Sequence, residues 1–263
     1  MITFQKYVKA ADLEEAYTLN QVKNNKIIAG MLWLRLEKSN YNTAIDISGL
    51  GLNQITEDET KFTIGAMTSL RDLETNESLN QYTDYALRAA LKDIIGIQFS
   101  NLATIGGSIW GRFGFSDVLT IFLALDSYVE LYKGGIVPMA EFAKMKNDND
   151  ILMNIIVNKK ECKCVYDSVR IQRTDFPVLT CAASIIDGKY NLTIGARPGK
   201  ALLFHDDNNI LASGITKEAA NEFASYIKEC VPTSSNNRGS AEYRSKLAYV
   251  LTERNLIRLG GLE

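Results

Sequence analysis

A chain of 263 residues with 46% hydrophobic and 23% charged residues and only 4 Pro is long enough for two packed domains and too apolar to stay disordered. Its 29 Lys and Arg against 31 Asp and Glu leave a net charge of -2, which gives no electrostatic reason to expect nucleic acid as a partner. The opening MITFQKYVKAADLEEAY lacks the apolar core of a signal peptide, and no apolar stretch approaches the ~20 residues of a membrane span, so a cytoplasmic protein without a membrane partner is expected.

From residue 1 to about 50 the pattern alternates strand, helix and strand: FQKYVKA, DLEEAYTLN, KIIAG and TAIDIS. That rhythm predicts parallel pairing. Asp12 and Glu15 make a capping box for the first helix, and Asn24-Asn25 supplies the following turn. A polar hairpin, TEDETK, precedes the alternating strand KFTIGAMTS, after which Thr68 or Ser69 caps a short helix through Leu73. Helical spacing then predicts a single amphipathic helix from Leu79 to Ile95. Residues 99–117 read as a strand-like run entering a loop with Gly106, Gly107, Gly111 and Gly114. The run VLTIFLAL that follows is apolar on all sides, so it should be a buried helix, with Ser116 as N-cap and Asp117 in its first turn.

From Asp150 onward strands of about ten residues predict an antiparallel meander: ILMNIIVN, CKCVYDSVRI, FPVLTCAASII, YNLTIGARP and KALLFH, with Asp187-Gly188 as a tight hairpin. Two helices close the chain. One is TKEAANEFASYIKE; the other runs from about Ser240 to Arg258 with Tyr243, Leu247, Val250, Leu251 and Leu256 as its apolar stripe. A domain boundary near residue 160 fits this change of texture, and no repeat of fixed period is present.

Hydrolytic machinery is hard to assemble from these residues. The one histidine, His205, reads as part of a solvated turn, and no G-x-S-x-G elbow occurs. Cys162, Cys164, Cys181 and Cys230 are too scattered for a disulfide framework, and the C-x-C spacing suits neither zinc nor an iron-sulfur cluster, so no metal site is expected. Neither a G-x-G-x-x-G fingerprint nor a phosphate loop is present. What remains is glycine placement after strands, in AGMLWL (29–34) and TIGGSIWGRFGFSD (104–117). Glycines let a backbone approach a ligand closely, and exposed amides can bind pyrophosphate oxygens without side chains. The bland alternative is a bend or close packing.

The segment ATIGGS, followed by SD and an apolar helix, resembles the FAD-binding domain of molybdopterin dehydrogenases, a family that includes the flavoprotein subunits of xanthine dehydrogenase and carbon monoxide dehydrogenase. IIAGMLWLRL, FTIGAMTSLRDLE, RTDFPVLTCAAS and GSAEYRSKLAYVLTERNL match in the same order, the last resembling an R-x-S-x-E-Y-R-x-x-L helix that begins at Arg238. The resemblance spans almost the whole chain. It implies an α+β fold: a two-lobed FAD-binding domain of the vanillyl-alcohol-oxidase type over 1–158, split near residue 55, then a domain over 159–263 of three antiparallel strands and a helix bundle.

Carried over by position, the resemblance implies FAD contacts from Ala29, Gly30, Met31, Leu32, Trp33 and Leu34, which stand where the family has A-G-G-T-D-L. It implies further contacts from Thr104, Gly106, Gly107, Ser108, Gly111 and Ser116, from Asp117 to ribityl or ribose hydroxyls, and from Leu152. Trp110, Phe113 and Phe115 border the ring system or pack in the core, core packing being expected for at least two. Arg112 is expected as a surface charge and Asp175 as structural. Glu242, Tyr243 and Arg244 are assigned to packing or subunit contact, with Glu242 paired to Lys246. The implied function is electron transfer. A molybdopterin-binding large subunit and a two-iron two-sulfur small subunit would feed electrons to FAD on this chain, which passes them to NAD or another acceptor. The rival readings are a free-standing flavin oxidoreductase of related fold, which would need a general acid or base, and a structural subunit that has lost FAD.

Overall fold

The computed structural model describes residues 1–262. Strand β1 (Thr3–Lys9) leads into helix α1 (Leu13–Asn20) through the expected capping box. Asp12 Oδ1 accepts the Glu15 amide at 2.8 Å, and the Glu15 carboxylate reaches back to the Ala11 amide at 2.7 Å. β2 (Asn25–Ile28) follows a left-handed Asn24, and β3 (Asn40–Asp46) lies between β1 and β2, parallel to both. Val8, Ile45 and Ile27 therefore share one row, and Ile45 and Ile27 pack with Ala16 and Leu13 of α1 in one core. β4 (Ile55–Glu57) and β5 (Lys61–Gly65) form the polar hairpin, its turn held by Asp58 Oδ1 on the amides of Thr60 and Lys61.

Ser69 caps α2 (Leu70–Thr75) by accepting the Asp72 amide at 3.0 Å. The single helix expected over Leu79–Ile95 is instead two, α3 (Glu77–Tyr82) and α4 (Ala86–Leu91), because Asp84 and Tyr85 both take left-handed backbone. Side chains offer the backbone other partners there. Buried Asn80 Nδ2 donates to the carbonyls of Leu73, Glu74 and Asn76, and the Thr83 hydroxyl turns back on those of Leu79 and Asn80. The strand-like run expected at 99–105 is also corrected: α5 (Ile97–Ser100) and α6 (Ile105–Gly111) are helical, and the Gly106-Gly107 pair forms the first turn of α6 rather than an open loop. α7 (Asp117–Ala124) is the all-buried helix expected, with Ser116 Oγ accepting the Leu119 amide at 3.0 Å.

β6 (Ser127–Leu131), β7 (Gly135–Pro138) and a short α8 (Met139–Phe142) precede β8 (Leu152–Asn158). β8 does not begin the meander, as its texture suggested. It joins a five-stranded sheet of order β4-β5-β8-β6-β7, because Val157 and Ile155 lie opposite Ser127 and Val129 of β6 in an apolar interior. The meander is β9 (Cys162–Arg170), β10 (Pro177–Ile186), β11 (Lys189–Gly195) and β12 (Leu202–His205), an antiparallel sheet of four strands rather than the three implied by resemblance. Asp187 and Gly188 both have positive φ, as a two-residue hairpin requires.

α9 (Lys217–Cys230) and α10 (Ala241–Leu259) cover one face of this sheet with a core that includes Phe223, Ile227, Leu251 and Leu256. The buried stripe of α10 is rotated from the one expected. Arg244, Ala248, Leu251, Thr252, Asn255, Leu256 and Leu259 face inward, while Tyr243 is exposed. Two compact units result. The first comprises residues 1–72, 97–111 and 127–157; the second comprises 73–96, 112–126 and the chain from Asn158 onward. Among the described residues no helix is long and apolar enough to cross a membrane.

Candidate functional site

In the first unit the two glycine-bearing segments meet. A Cβ on Gly30 would sit 1.8 Å from the Leu102 carbonyl oxygen, so only glycine lets the turn after β2 lie against the chain entering α6. Trp33 packs edge-on against Phe99 of α5 at 5.8 Å between ring centroids, which closes the same contact from the other side. Leu32 is buried, and a 3-10 turn at Leu34–Leu36, begun by the Arg35 amide on the Met31 carbonyl, ends the loop.

Met31 stands where the resemblance puts a second glycine, and its φ of 56° lies in the left-handed region that glycine favours. The turn is thus kept with a residue that strains it. Among the described residues no acceptor takes the amides of Gly30, Met31 or Leu32. Three successive free N–H groups beside a left-handed residue make a concave donor set for an anion.

The amides of the second segment behave differently from expectation. Those of Ile105 and Gly106 donate to the Thr68 and Ala66 carbonyls at 2.9 and 2.8 Å, that of Gly107 to Thr104 Oγ1 at 3.2 Å, and that of Ser108 to the Thr104 carbonyl at 3.1 Å. They are committed to the fold, because the first amides of a helix must find partners and nearby backbone supplies them. What this segment offers a ligand is side chain and shape. The hydroxyls of Thr104 and Ser108 flank Gly107, which is exposed and whose Cβ would touch only Thr104 Oγ1, at 3.1 Å. Gly106 is buried against Ala66, and Gly111 ends α6. Leu152 is buried at the start of β8 opposite Leu131, so it can offer a ligand only backbone.

Ser116 and Asp117 belong to the second unit, and both are buried. The Asp117 carboxylate, expected to meet cofactor hydroxyls, is engaged by the protein: Oδ1 accepts from the Arg170 guanidinium and from the Tyr166 hydroxyl, both on β9. Burial pushes the Asp117 carboxyl up to about 6, against the opposing pull of Arg170 and Tyr166, and burial with the Asp117 charge pushes Tyr166 well above its ordinary value. The only sequence signal for Arg170 was indirect, since a carboxylate at the head of an apolar helix needs a cation.

Arg170 also donates to the Asp175 carbonyl at 2.6 Å, and Asp175 pairs with Arg238 at 3.2 Å while holding the Phe176 amide, which gives Asp175 its structural role. Phe113 stacks on Phe115, Phe115 meets Phe176 edge-on, and Arg238 lies over the Phe176 ring. Trp110 packs on Phe142. Arg112 is buried at left-handed φ, not a surface charge, and Arg173 is exposed and paired with Asp93 at 2.8 Å.

Arg244 is the largest fully buried side chain. Its guanidinium serves the carbonyls of Val178, Ser234 and Gly239 and the Asn236 side chain, so the C-terminal motif holds the 231–240 segment to β10. No Glu242–Lys246 pair forms, and both side chains are exposed. Cys162, Cys164, Cys181 and Cys230 are free thiols, His205 is exposed at the end of β12, and no metal-binding group of His, Cys, Asp and Glu occurs among the described residues.

Residues 2–159 match the family described as the FAD binding domain in molybdopterin dehydrogenase. The chain belongs to that family. It is 26% identical over 271 residues to the glyceraldehyde dehydrogenase medium chain of Sulfolobus acidocaldarius, covering 94% of this chain and 95% of that one. It is also 26% identical over 209 residues to the uncharacterized protein YgfM of Escherichia coli K12, covering 79% of this chain and 76% of that one. Its fold matches carbon monoxide dehydrogenase from Hydrogenophaga pseudoflava with a TM-score of 0.85 at 22% identity, over 98% of this chain and 97% of that one. It matches quinoline 2-oxidoreductase from Pseudomonas putida 86 with a TM-score of 0.86 at 18% identity, over 99% of this chain and 97% of that one.

The residues present fit the family's cofactor. FAD carries a diphosphate, and the free amides at Gly30, Met31 and Leu32 are donors with no competing carboxylate within the loop. Gly107 leaves a side-chain-free surface between two hydroxyls.

Proposed function

We propose that this chain is the FAD-carrying, electron-transferring subunit of a molybdenum-dependent hydroxylase of the xanthine dehydrogenase type, with residues 1–158 as its FAD-binding domain. The observation that carries this reading is the set of unbonded amides at Gly30, Met31 and Leu32 within the region that matches the FAD-binding family. These amides take the diphosphate oxygens, with Ala29, Trp33 and Leu34 fixing the loop around them. The hydroxyls of Thr104 and Ser108 add bonds from the second segment, and Gly106 and Gly107 let the ligand approach. Gly111 and Leu152 flank it through backbone. Ser116 and Asp117 fix where α7 begins in the second unit.

Bound FAD supplies the redox chemistry, so the chain's own work is to bind, orient and shield it. The partners in this reading are a molybdopterin-binding large subunit and a small subunit with two-iron two-sulfur clusters; the acceptor is NAD or another oxidant. The relatives' names differ in substrate, which supports placing substrate choice on another chain. Met31 in left-handed backbone disfavours the reading as a structural subunit without FAD, because the turn that frees the amides is retained.

The test is flavin content and FAD affinity of the purified chain and of Gly107→Asp. Because a Cβ there meets only Thr104 Oγ1, the variant should fold. A carboxylate facing the diphosphate should lower FAD affinity by about a hundredfold, an electrostatic and steric effect of roughly 3 kcal/mol. Unchanged affinity would refute the assigned segment, and a folded wild type that resists FAD reconstitution would favour the structural subunit.

A further inference from the structure

Beneath α10 lies a buried polar cluster that the cofactor reading does not use. Thr252 and Asn255 are one helical turn apart, fully buried, and directed at β10 in the second unit. Asn255 Nδ2 donates to the Cys181 carbonyl at 3.3 Å, and both side chains lie close enough to the Cys181 thiol to favour its ionised form, although burial still pushes the thiol up to about 12. Two atoms in this cluster have no partner among the described residues: Thr252 Oγ1 and Asn255 Oδ1. Cys181 belongs to an apolar core with Leu179, Ala183, Ala248, Leu251 and Leu256, and Asp167 stands opposite it on β9.

A buried hydroxyl and a buried amide oxygen left unbonded each cost on the order of 1–3 kcal/mol, and native proteins rarely leave two side by side. Neither can reach solvent. Direct pairing would have to come from the Thr252 hydroxyl or the Cys181 thiol, and a thiol is a weak donor. We propose that Thr252 Oγ1, Asn255 Oδ1 and the Cys181 thiol form an internal site for one water molecule, which ties α10 to β10. Water suits the site chemically, since it can donate to the amide oxygen while bonding the hydroxyl and the thiol at once, and buried waters make about three such bonds. Protonated amines or metal ions suit it poorly, because it holds no charge to offset theirs. The consequence is positional. Arg244, in the first turn of α10, secures the segment before it, so a polar anchor further along fixes the helix at a second point that apolar contacts alone would let slide.

A crystal structure of the full-length protein that shows ordered solvent tests this. The expected result is one well-ordered water within about 2.7–3.2 Å of Thr252 Oγ1 and Asn255 Oδ1. Thr252 or Cys181 donating directly to Asn255 Oδ1, with no solvent between, would overturn it. Stability gives a second readout. Thr252→Val keeps the volume but removes one water ligand, and should lower the folding equilibrium constant by about tenfold. A Thr252→Val protein as stable as wild type would also overturn it.

Discussion

Asp117 and Met31 show how single residues carry two opposite kinds of strain. Asp117 is a buried carboxylate paired with Arg170, and burial raises its folded-state value to about 6 from the ordinary value near ~3.9. The folded protein therefore holds this proton more tightly than the unfolded chain. The stabilising contribution is fully present below about pH 4 and is lost as pH rises through about 6. Urea unfolding of wild type and Asp117→Asn from pH 4.5 to 7.5, a window set by that linkage, should show the wild-type advantage shrinking as pH rises; an advantage that grows would mean a lowered value instead. Arg170→Met leaves the carboxylate buried without its cation, since both side chains are under a tenth exposed, and should cost about 3–5 kcal/mol at neutral pH. Part of that loss should be recovered in acid, where Asp117 takes a proton. At Met31 the strain is in the backbone. Met31→Gly should keep FAD affinity within a few fold, whereas Met31→Ile, a β-branched residue forced to left-handed φ, should reduce it at least tenfold, about 1.4 kcal/mol. Equal affinities in a flavin titration would mean that the turn is not left-handed in solution.

At the scale of elements, what was legible followed local rules. The capping box at Asp12, the caps at Ser69 and Ser116, and the Asp187-Gly188 hairpin were read from one or two residues and are present. What escaped depended on particular hydrogen-bond and strand partners, near or far in the chain. The break between α3 and α4 hangs on buried Asn80, the turn into α6 on carbonyls of Ala66 and Thr68, and the sheet of β8 on its register with β6. Periodicity sees none of these partners. The same logic hid the site's detail: glycines flagged two segments, but only the structure shows that Gly30 is needed for packing and Gly107 for an open surface. Gly30→Ala and Gly106→Ala should therefore act on the fold itself, because each Cβ would lie within 2.6 Å of a backbone oxygen. Each should lower the unfolding midpoint by several degrees, consistent with overpacking costs of about 1–3 kcal/mol. A variant that loses FAD with an unchanged midpoint would assign that glycine to the ligand instead.

At the scale of the molecule, the motifs that mark the family serve two purposes. The early ones, AGMLWL and ATIGGS, gather in the first unit, where the first leaves amides free and the second commits its own to the fold. The later ones, SD, RTDFP and R-x-S-x-E-Y-R, are linked in the second unit by the Asp117–Arg170 ion pair, the Arg170 guanidinium on the Asp175 carbonyl, and the Asp175–Arg238 ion pair, which together order loops. The resemblance made fold and family legible from sequence, whereas the structural part played by the later motifs was not, because Asp117–Arg170, Asp175–Arg238 and Arg244–Val178 each join residues more than fifty apart in the chain. The central claim is that free amides at Gly30, Met31 and Leu32 hold a dinucleotide diphosphate. A crystal structure of the chain grown with FAD tests it most directly. Phosphate oxygens within about 2.7–3.2 Å of those three nitrogens are the predicted result. FAD bound with its diphosphate elsewhere, and those amides turned to water, would contradict it.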